Sequence, residues 1–97
     1  MTATTTPVTF ATVLAHSDEV LFQEVGGEAV LLDLASEQYF GLDAVGTRIW
    51  ELLDGARTLA DVHLRLCEEF EADGARIEAD LLALSQSLAD AGLVKTA

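Results

Sequence analysis

The side chains that could do catalytic or metal chemistry are few and widely spaced along the 97 residues. His16, Ser17 and Asp18 supply the three side-chain types of a hydrolytic triad, but three consecutive loop residues do not reach triad geometry by adjacency. His63 falls within a helical pattern, which predicts a position on the flank of a helix. One Cys and two distant His lack the spacing of metal ligands. We expect no catalytic residue, no metal site and no cofactor, and therefore not an enzyme.

Cys67 is the single cysteine, so no intramolecular disulfide can form. It lies inside a helical apolar pattern, which predicts a packed thiol. The carboxylates that follow it, at Glu68, Glu69, Glu71 and Asp73, are typical of a solvated surface. The glycines do not form a phosphate-binding loop.

The charge balance excludes several classes of partner. The chain contains five Lys and Arg and 17 Asp and Glu, which gives a net charge of -12. Such a chain repels phosphate backbones and anionic membrane surfaces. No apolar run approaches the roughly 20 residues that span a bilayer, and the first ten residues do not form a secretion signal. We expect a cytoplasmic protein that binds neither nucleic acid nor membrane.

The length fits one domain, which we place at residues 8–97 after a disordered tail at residues 1–7. "VLFQEV" and "EAVLLDL", at residues 20–25 and 28–34, flank Gly26-Gly27 and predict a β-hairpin. After the polar turn "ASEQ", "YFGL" predicts a third strand. These three strands form an antiparallel meander.

The hydrophobic period then changes from two to 3.6, which predicts three helices. Asp43, Thr58 and Asp73 are placed to cap their N-termini, and Gly55 and Gly92 to end the first and the third. The predicted fold is α+β and winged-helix-like: a three-stranded antiparallel sheet followed by three helices. Trp50 is expected to be partly buried in the first helix.

The third predicted strand has an unprotected outer edge. Residues 38–42 contain no Pro or Lys to blunt it. An open edge can accept an extended peptide as an added strand. Two alternatives remain: the segment Val8 to Leu14 covers the edge, or a second copy of the chain pairs there in a homodimer.

The third predicted helix has a core stripe and a smaller second face. The stripe contains Ile77, Leu81, Leu84, Leu88 and Ala91. Leu82 lies about 140° from the centre of this stripe by helical geometry, beside Glu78, Ser85 and Ala89. This second face is either a shallow groove for an apolar side chain or an isolated exposed Leu.

The chain resembles the PqqD-like family, the peptide-binding domains also called RiPP recognition elements. The resemblance covers about residues 20–94 and rests on "VLLDLASEQYFGLDAVGTRIWELLDG", "TLADVHLRLCEEF" and "IEADLLALSQSLADAGLV". It implies a non-catalytic chaperone that binds the leader of a ribosomally synthesised precursor peptide by strand addition. The implied partners are that leader and a modifying enzyme, either a radical SAM enzyme or a leader peptidase.

The resemblance also implies a peptide site between the third strand and the third helix. Its residues in this chain are Gln38, Tyr39, Phe40, Gly41, Leu42, Glu78, Leu82 and Ser85. The turn "ASEQ" replaces the "PEG"-like turn of members that serve pyrroloquinoline quinone synthesis. The chain therefore resembles the stand-alone proteins of lasso-peptide and radical-enzyme clusters more closely.

Two other functions share this architecture: a winged-helix DNA-binding regulator and a structural dimerisation module. A DNA-recognition helix should carry several Lys or Arg. The second predicted helix has only Arg65 and the third only Arg76. This argues against the regulator.

Overall fold

A computed structural model describes residues 7–97. The expected tail at residues 1–7 lies outside this range except for Pro7, which is exposed. The elements in chain order are β1 Leu14–His16, β2 Val20–Val25, β3 Glu28–Asp33, β4 Gln38–Leu42, α1 Ala44–Leu52, α2 Leu59–Glu69, α3 Gly74–Asp90 and β5 Val94–Thr96. The predicted α+β fold, a three-stranded antiparallel sheet followed by three helices, is confirmed.

The main sheet is a meander in the order β2-β3-β4. Gly26 and Gly27 join β2 to β3 with φ angles of +64° and +87°. A two-residue hairpin turn of this kind needs a positive φ at both positions, which glycine adopts without a steric penalty. The β3–β4 turn is held by the Asp33 carboxylate, which accepts from the Ala35 N–H and the Ser36 hydroxyl.

All three predicted helix caps are present. Asp43 accepts a hydrogen bond from the Gly46 N–H at 2.8 Å, and Thr58 accepts from the Asp61 N–H at 3.2 Å. Asp73 accepts from the Ala75 N–H at 3.0 Å. Each side-chain oxygen satisfies a backbone donor that has no partner inside its helix.

A second, two-stranded sheet joins the two ends of the described chain. β1 pairs antiparallel with β5, with Ala15 opposite Lys95. The sequence pattern did not predict either strand, because three residues are too few to show a period of two. This sheet brings Leu14 and Val94, one from each strand, into the hydrophobic core.

The hydrophobic core lies between the inner face of the main sheet and the helices. Trp50 was predicted to be partly buried; it is only 3% exposed, so its burial is more complete than predicted. Cys67, by contrast, is exposed, so the prediction of a packed thiol is wrong. The buried side of α2 is formed by Leu59, Val62 and Leu66, and Cys67 lies next to this side rather than on it. No helix within residues 7–97 is long and apolar enough to cross a bilayer.

The segment before β1 packs on the helices. The Phe10 and Thr12 carbonyls accept from the N–H groups of Ala60 and Leu59 at the start of α2. The Val8 N–H donates to the side chain of Gln86 on α3 at 2.9 Å. The described part of this segment therefore lies away from the edge of β4, and the alternative that residues 8–14 cover that edge is not realised.

Candidate functional site

The outer edge of β4 is open within residues 7–97. β4 is the last strand of the sheet and pairs on its inner side with β3, with Leu31 opposite Phe40 and Val30 opposite Gly41. An edge strand presents unpaired N–H and C=O groups to whatever lies beside it. This edge therefore offers a template for one more strand.

Two turn hydrogen bonds show which backbone groups of β4 point outward. Leu34 donates its N–H toward β2, to the Glu19 carbonyl, while the Asp33 carbonyl accepts from the Glu37 N–H on the β4 side. The backbone N–H and C=O groups of successive residues point to opposite sides of a strand. Those of Asp33, Leu31 and Ala29 therefore point toward β4.

Their partners in the antiparallel register are Gln38, Phe40 and Leu42, which therefore use their backbone groups to bond β3. The two residues between them, Tyr39 and Gly41, direct both N–H and C=O to the free edge. An incoming strand would form its main-chain hydrogen bonds with these two residues.

A groove runs between β4 and α3, and we call it the β4–α3 groove. At one end a small pocket is lined by Gln38, Tyr39 and Phe40 of β4 and by Ala91 and Leu93, which follow α3. At the other end a larger pocket lies between the end of β4 and the start of α1 on one side and α3 on the other. Its lining includes Gly41, Leu42, Val45, Gly46, Ile49, Arg76, Asp80, Ala83, Leu84 and Ser87. β4 and α3 therefore run in opposite directions along the groove.

The structure brings together the β4 half of the predicted site but places the predicted α3 residues on other sides of the helix. Glu78 is exposed, and Leu82 is half-buried against the core, so Leu82 is not an isolated exposed side chain. Ser85 is fully buried, although the sequence predicted a surface position. None of the three lines the groove pockets described above.

Helical geometry explains this difference. The buried side of α3 is formed by Ile77, Leu81, Ser85 and Leu88. The groove lies on one flank of that stripe, and Glu78 and Leu82 lie on the opposite flank, toward the segment that contains Val8. The sequence pattern indicates two faces of α3 but carries no information on which flank turns toward β4. For this reason Ala83 and Ser87, which line the groove, were not among the predicted site residues, and Leu84 was assigned to the core stripe.

The larger pocket has an apolar floor and a mostly acidic rim. Leu42 and Ile49 are buried beneath it, and Leu84 is half-buried. Asp43 and Asp80 lie at the rim with Arg76, whose Nε is 3.9 Å from an Asp80 carboxylate oxygen. A side chain with an apolar body fits this floor, and a neighbouring cation complements the rim.

The other reactive side chains lie elsewhere. His63 Nε2 is 2.9 Å from the Gly74 carbonyl, so its N–H donates there and fastens α2 to the start of α3. The Cys67 sulfur is 3.6 Å from the same nitrogen. Among residues 7–97, no three His, Cys, Asp or Glu side chains come together as metal ligands would.

The match to a known family begins at β3 and continues through the three helices to the start of β5. Residues 28–94 match the family model described as "Coenzyme PQQ synthesis protein D (PqqD)". A "PqqA binding protein" of Xanthomonas euvesicatoria pv. vesicatoria is 40% identical over 55 residues, which is 57% of this chain and 60% of the relative. The chain thus spans about three fifths of the length of this relative. The protein of the same name from Rhodopseudomonas palustris strain TIE-1 is 34% identical over 88% of this chain and 81% of its own length.

Two solved structures share the fold. "TbiB1 in Complex with the TbiA(beta) Leader Peptide" is 37% identical, with a TM-score of 0.74 over 84% of this chain and 94% of its own. "Lasso peptide synthetase B1 complexed with the leader peptide" is 28% identical, with a TM-score of 0.74 over 86% of this chain and 98% of its own. The family-model match, over more than half of the residues, agrees with these similarities: the chain belongs to the PqqD family.

Proposed function

We propose that this chain binds the leader segment of a ribosomally synthesised precursor peptide and presents it to a modifying enzyme, without catalysing a reaction itself. The observation that carries the proposal is the open edge of β4 beside the β4–α3 groove. The edge supplies main-chain hydrogen bonds, which hold any extended peptide, and the groove supplies side-chain selection.

The names of similar proteins support this function. The curated relatives are called PqqA binding proteins, and both solved structures were determined with a leader peptide. The two solved chains are covered almost completely by this chain, at 94% and 98% of their lengths.

The peptide contacts on the sheet side are the five residues of β4. Tyr39 and Gly41 form the main-chain bonds, while Phe40 and Leu42 form the apolar wall that faces α3. On the helix side we propose Ala83, Leu84 and Ser87. A contact with Glu78, Leu82 or Ser85 stays a prediction from the family resemblance, and it requires the peptide to reach beyond the groove.

The partners we propose beyond the peptide are a radical SAM enzyme or a leader peptidase, acting in the cytoplasm where precursor peptides are made. A homodimer formed through the edge of β4 would occupy the same main-chain groups. Peptide binding and edge-to-edge dimerisation are therefore mutually exclusive in this proposal.

Isothermal titration of the chain with the leader of the precursor encoded in the same gene cluster tests the proposal. We expect saturable one-to-one binding and no binding of a scrambled leader of equal composition. The acidic surface should favour leaders that carry Lys or Arg outside the apolar anchor, so association should slow as salt is raised. Absence of binding to the leader would refute the function.

A gel-shift assay with duplex DNA at low salt separates the proposal from the winged-helix regulator. Low salt is the most sensitive condition, because it strengthens any contact with phosphate. We expect no shift even there, because a chain with a net charge of -12 is repelled by DNA. Saturable binding of the duplex would favour the regulator.

A further inference from the structure

The outer face of the main sheet, which points away from the helices, is an apolar surface. The register places Leu21, Leu32 and Tyr39 in one row across the three strands, and Val30 lies in the next row between Gln23 and Gly41. Leu21 is 54% exposed, Val30 43% and Tyr39 74%. Val25, at the end of β2, is 69% exposed. We call Leu21, Val25, Val30, Leu32 and Tyr39 the outer sheet face.

This concentration of exposed apolar side chains is not what a sheet with one solvated face normally shows. Antiparallel sheets usually alternate apolar residues toward the core with polar residues toward water. Here the inner residues Ala29, Leu31 and Leu42 are buried, and apolar residues also alternate outward on the same strands. An exposed apolar patch of a few hundred Å2 is often a functional surface.

The size of this face decides how a partner must contact it. Three strands of about six residues cover roughly 20 Å by 14 Å, or about 280 Å2. A stable interface buries about 800 Å2 on each partner. The outer sheet face is therefore the apolar centre of a larger contact, and the charged residues around it belong to the same contact.

Those charges are all of one sign. The first 47 residues contain no Lys or Arg, whereas residues 18–43 contain seven Asp and Glu. Three exposed carboxylates stand at the ends of the strands: Glu19 just before β2, Glu28 at the start of β3 and Glu37 just before β4. A second copy laid face to face would bring two such acidic rims together with no cation between them, which disfavours a symmetric dimer.

We propose that the outer sheet face docks the protein that acts on the bound peptide, through an apolar patch surrounded by Lys and Arg on that protein. This inference rests on the proposed function and extends it from the peptide to the second partner. Apolar contact supplies the stable centre of the interface, and the acidic rim selects a basic partner and speeds its association.

The outer sheet face is continuous with the peptide site. Tyr39 and Gly41 direct their backbone groups to the free edge of β4, and their side-chain positions lie on the outer sheet face. A peptide strand added there would extend this face, with every second peptide side chain pointing to the same side. A partner on this face would contact the chain and the peptide together, so the peptide complex should bind it more tightly than the free chain.

Titration with the purified modifying enzyme encoded beside this chain tests the inference, with and without the leader. The main variant is Leu21→Ser combined with Val30→Thr, which removes apolar surface but keeps β-forming residues or small side chains on the strands. The control is Leu64→Ser, because Leu64 is 63% exposed on α2, on a different element. The charge variant is Glu19→Lys combined with Glu28→Lys.

The double apolar variant should bind the enzyme about tenfold more weakly or worse, with leader affinity changed less than twofold. The control should bind both as the wild type does, and the charge variant should lose most of the salt dependence of enzyme association. Enzyme affinity within twofold of wild type in the apolar variant, or an equal loss in Leu64→Ser, would overturn the inference.

Sedimentation velocity of the wild type gives the remaining outcome. A dimer that the apolar variant dissociates would assign the outer sheet face to a second copy and overturn the inference. Failure of the leader to bind wild type refutes the proposed function instead, and it is measured separately from enzyme binding.

Discussion

The imidazole of His16 lies flat on the indole of Trp50, with ring centroids 3.7 Å apart and planes inclined by 3°. His16 Nε2 is also 2.6 Å from the backbone carbonyl oxygen of Trp50. A carbonyl can only accept, so this nitrogen carries the proton and donates. The two contacts connect β1 to α1, and so hold the two-stranded sheet against the helix that follows β4.

Trp50→Ala should therefore destabilise the domain by about 3–5 kcal/mol, as for other buried aromatic side chains. His16→Ala should cost less, about 1–2 kcal/mol, because it removes one hydrogen bond and one stacking contact. Urea unfolding followed by circular dichroism measures both. Leader affinity of folded His16→Ala should be unchanged. A stable Trp50→Ala variant that no longer binds the leader would contradict a structural role for this side chain.

The Arg48–Glu69 pair links α1 to α2 and gives a pH-dependent prediction. Arg48 donates to both carboxylate oxygens, at 2.7 and 2.9 Å, and these hydrogen bonds hold the pKa of Glu69 below its ordinary value of 4.5. A carboxyl whose folded pKa is lowered stabilises the fold above its unfolded pKa and loses this contribution as the pH falls.

Arg48→Gln should cost about 0.5–1 kcal/mol at pH 7, within the range of partly exposed ion pairs. The difference from wild type should shrink as the pH falls below about 4.5 and Glu69 becomes protonated. Arg76→Gln is the control for stability, since its contact with Asp80 is 3.9 Å long and highly exposed. A difference that grows on acidification would contradict this account.

Local signals in the sequence predicted most of the fold. Gly26-Gly27 marks a turn that few other residues can adopt, and Asp43, Thr58 and Asp73 are strong capping residues at changes of period. β1 and β5 were not predictable in the same way. Their pairing joins residues about 80 positions apart, and each strand is too short for a hydrophobic pattern.

The open edge of β4 was predictable from the sequence, whereas the flank of α3 that lies beside it was not. An open edge depends on strand order, which follows from two consecutive hairpins. The flank of α3 that meets β4 depends on the rotation of the helix about its axis, which tertiary packing determines. Ser85 illustrates the difficulty, because a small polar residue was predicted at the surface and is fully buried.

Gly41→Pro should weaken leader binding about tenfold or more while the domain stays folded. The substitution removes an N–H that points to the free edge, and Pro is tolerated on edge strands where the N–H faces solvent. Gly41→Ala is the matched control, because an added Cβ would meet no atom within 4 Å. Titration of both variants, after circular dichroism shows each is folded, checks the prediction. Equal affinity of the two variants would contradict strand addition at this edge.

Ser85→Ala should leave leader affinity unchanged and should keep or raise stability, by up to about 1 kcal/mol. The Ser85 hydroxyl is buried and has no hydrogen-bond partner within the described residues, and an unsatisfied buried polar group is destabilising. Thermal unfolding and leader titration measure the two effects. A loss of leader affinity would instead support the family-based assignment of Ser85 to the peptide site.

Two neighbouring residues on α3 distinguish the two flanks of the helix. Ser87 lines the β4–α3 groove, whereas Gln86 lies on the flank where its side chain accepts the Val8 N–H. Ser87→Glu places a carboxylate in the path of the peptide, beside an apolar floor, and should weaken leader binding about tenfold. Gln86→Glu adds the same charge on the same turn and can still accept from Val8, so it should bind the leader nearly as the wild type does.

Leu82→Glu, on the Gln86 flank, should mainly lower stability because Leu82 packs against the core. If Gln86→Glu or a folded Leu82→Glu loses affinity while Ser87→Glu does not, the peptide lies on the flank predicted from the sequence rather than in the groove.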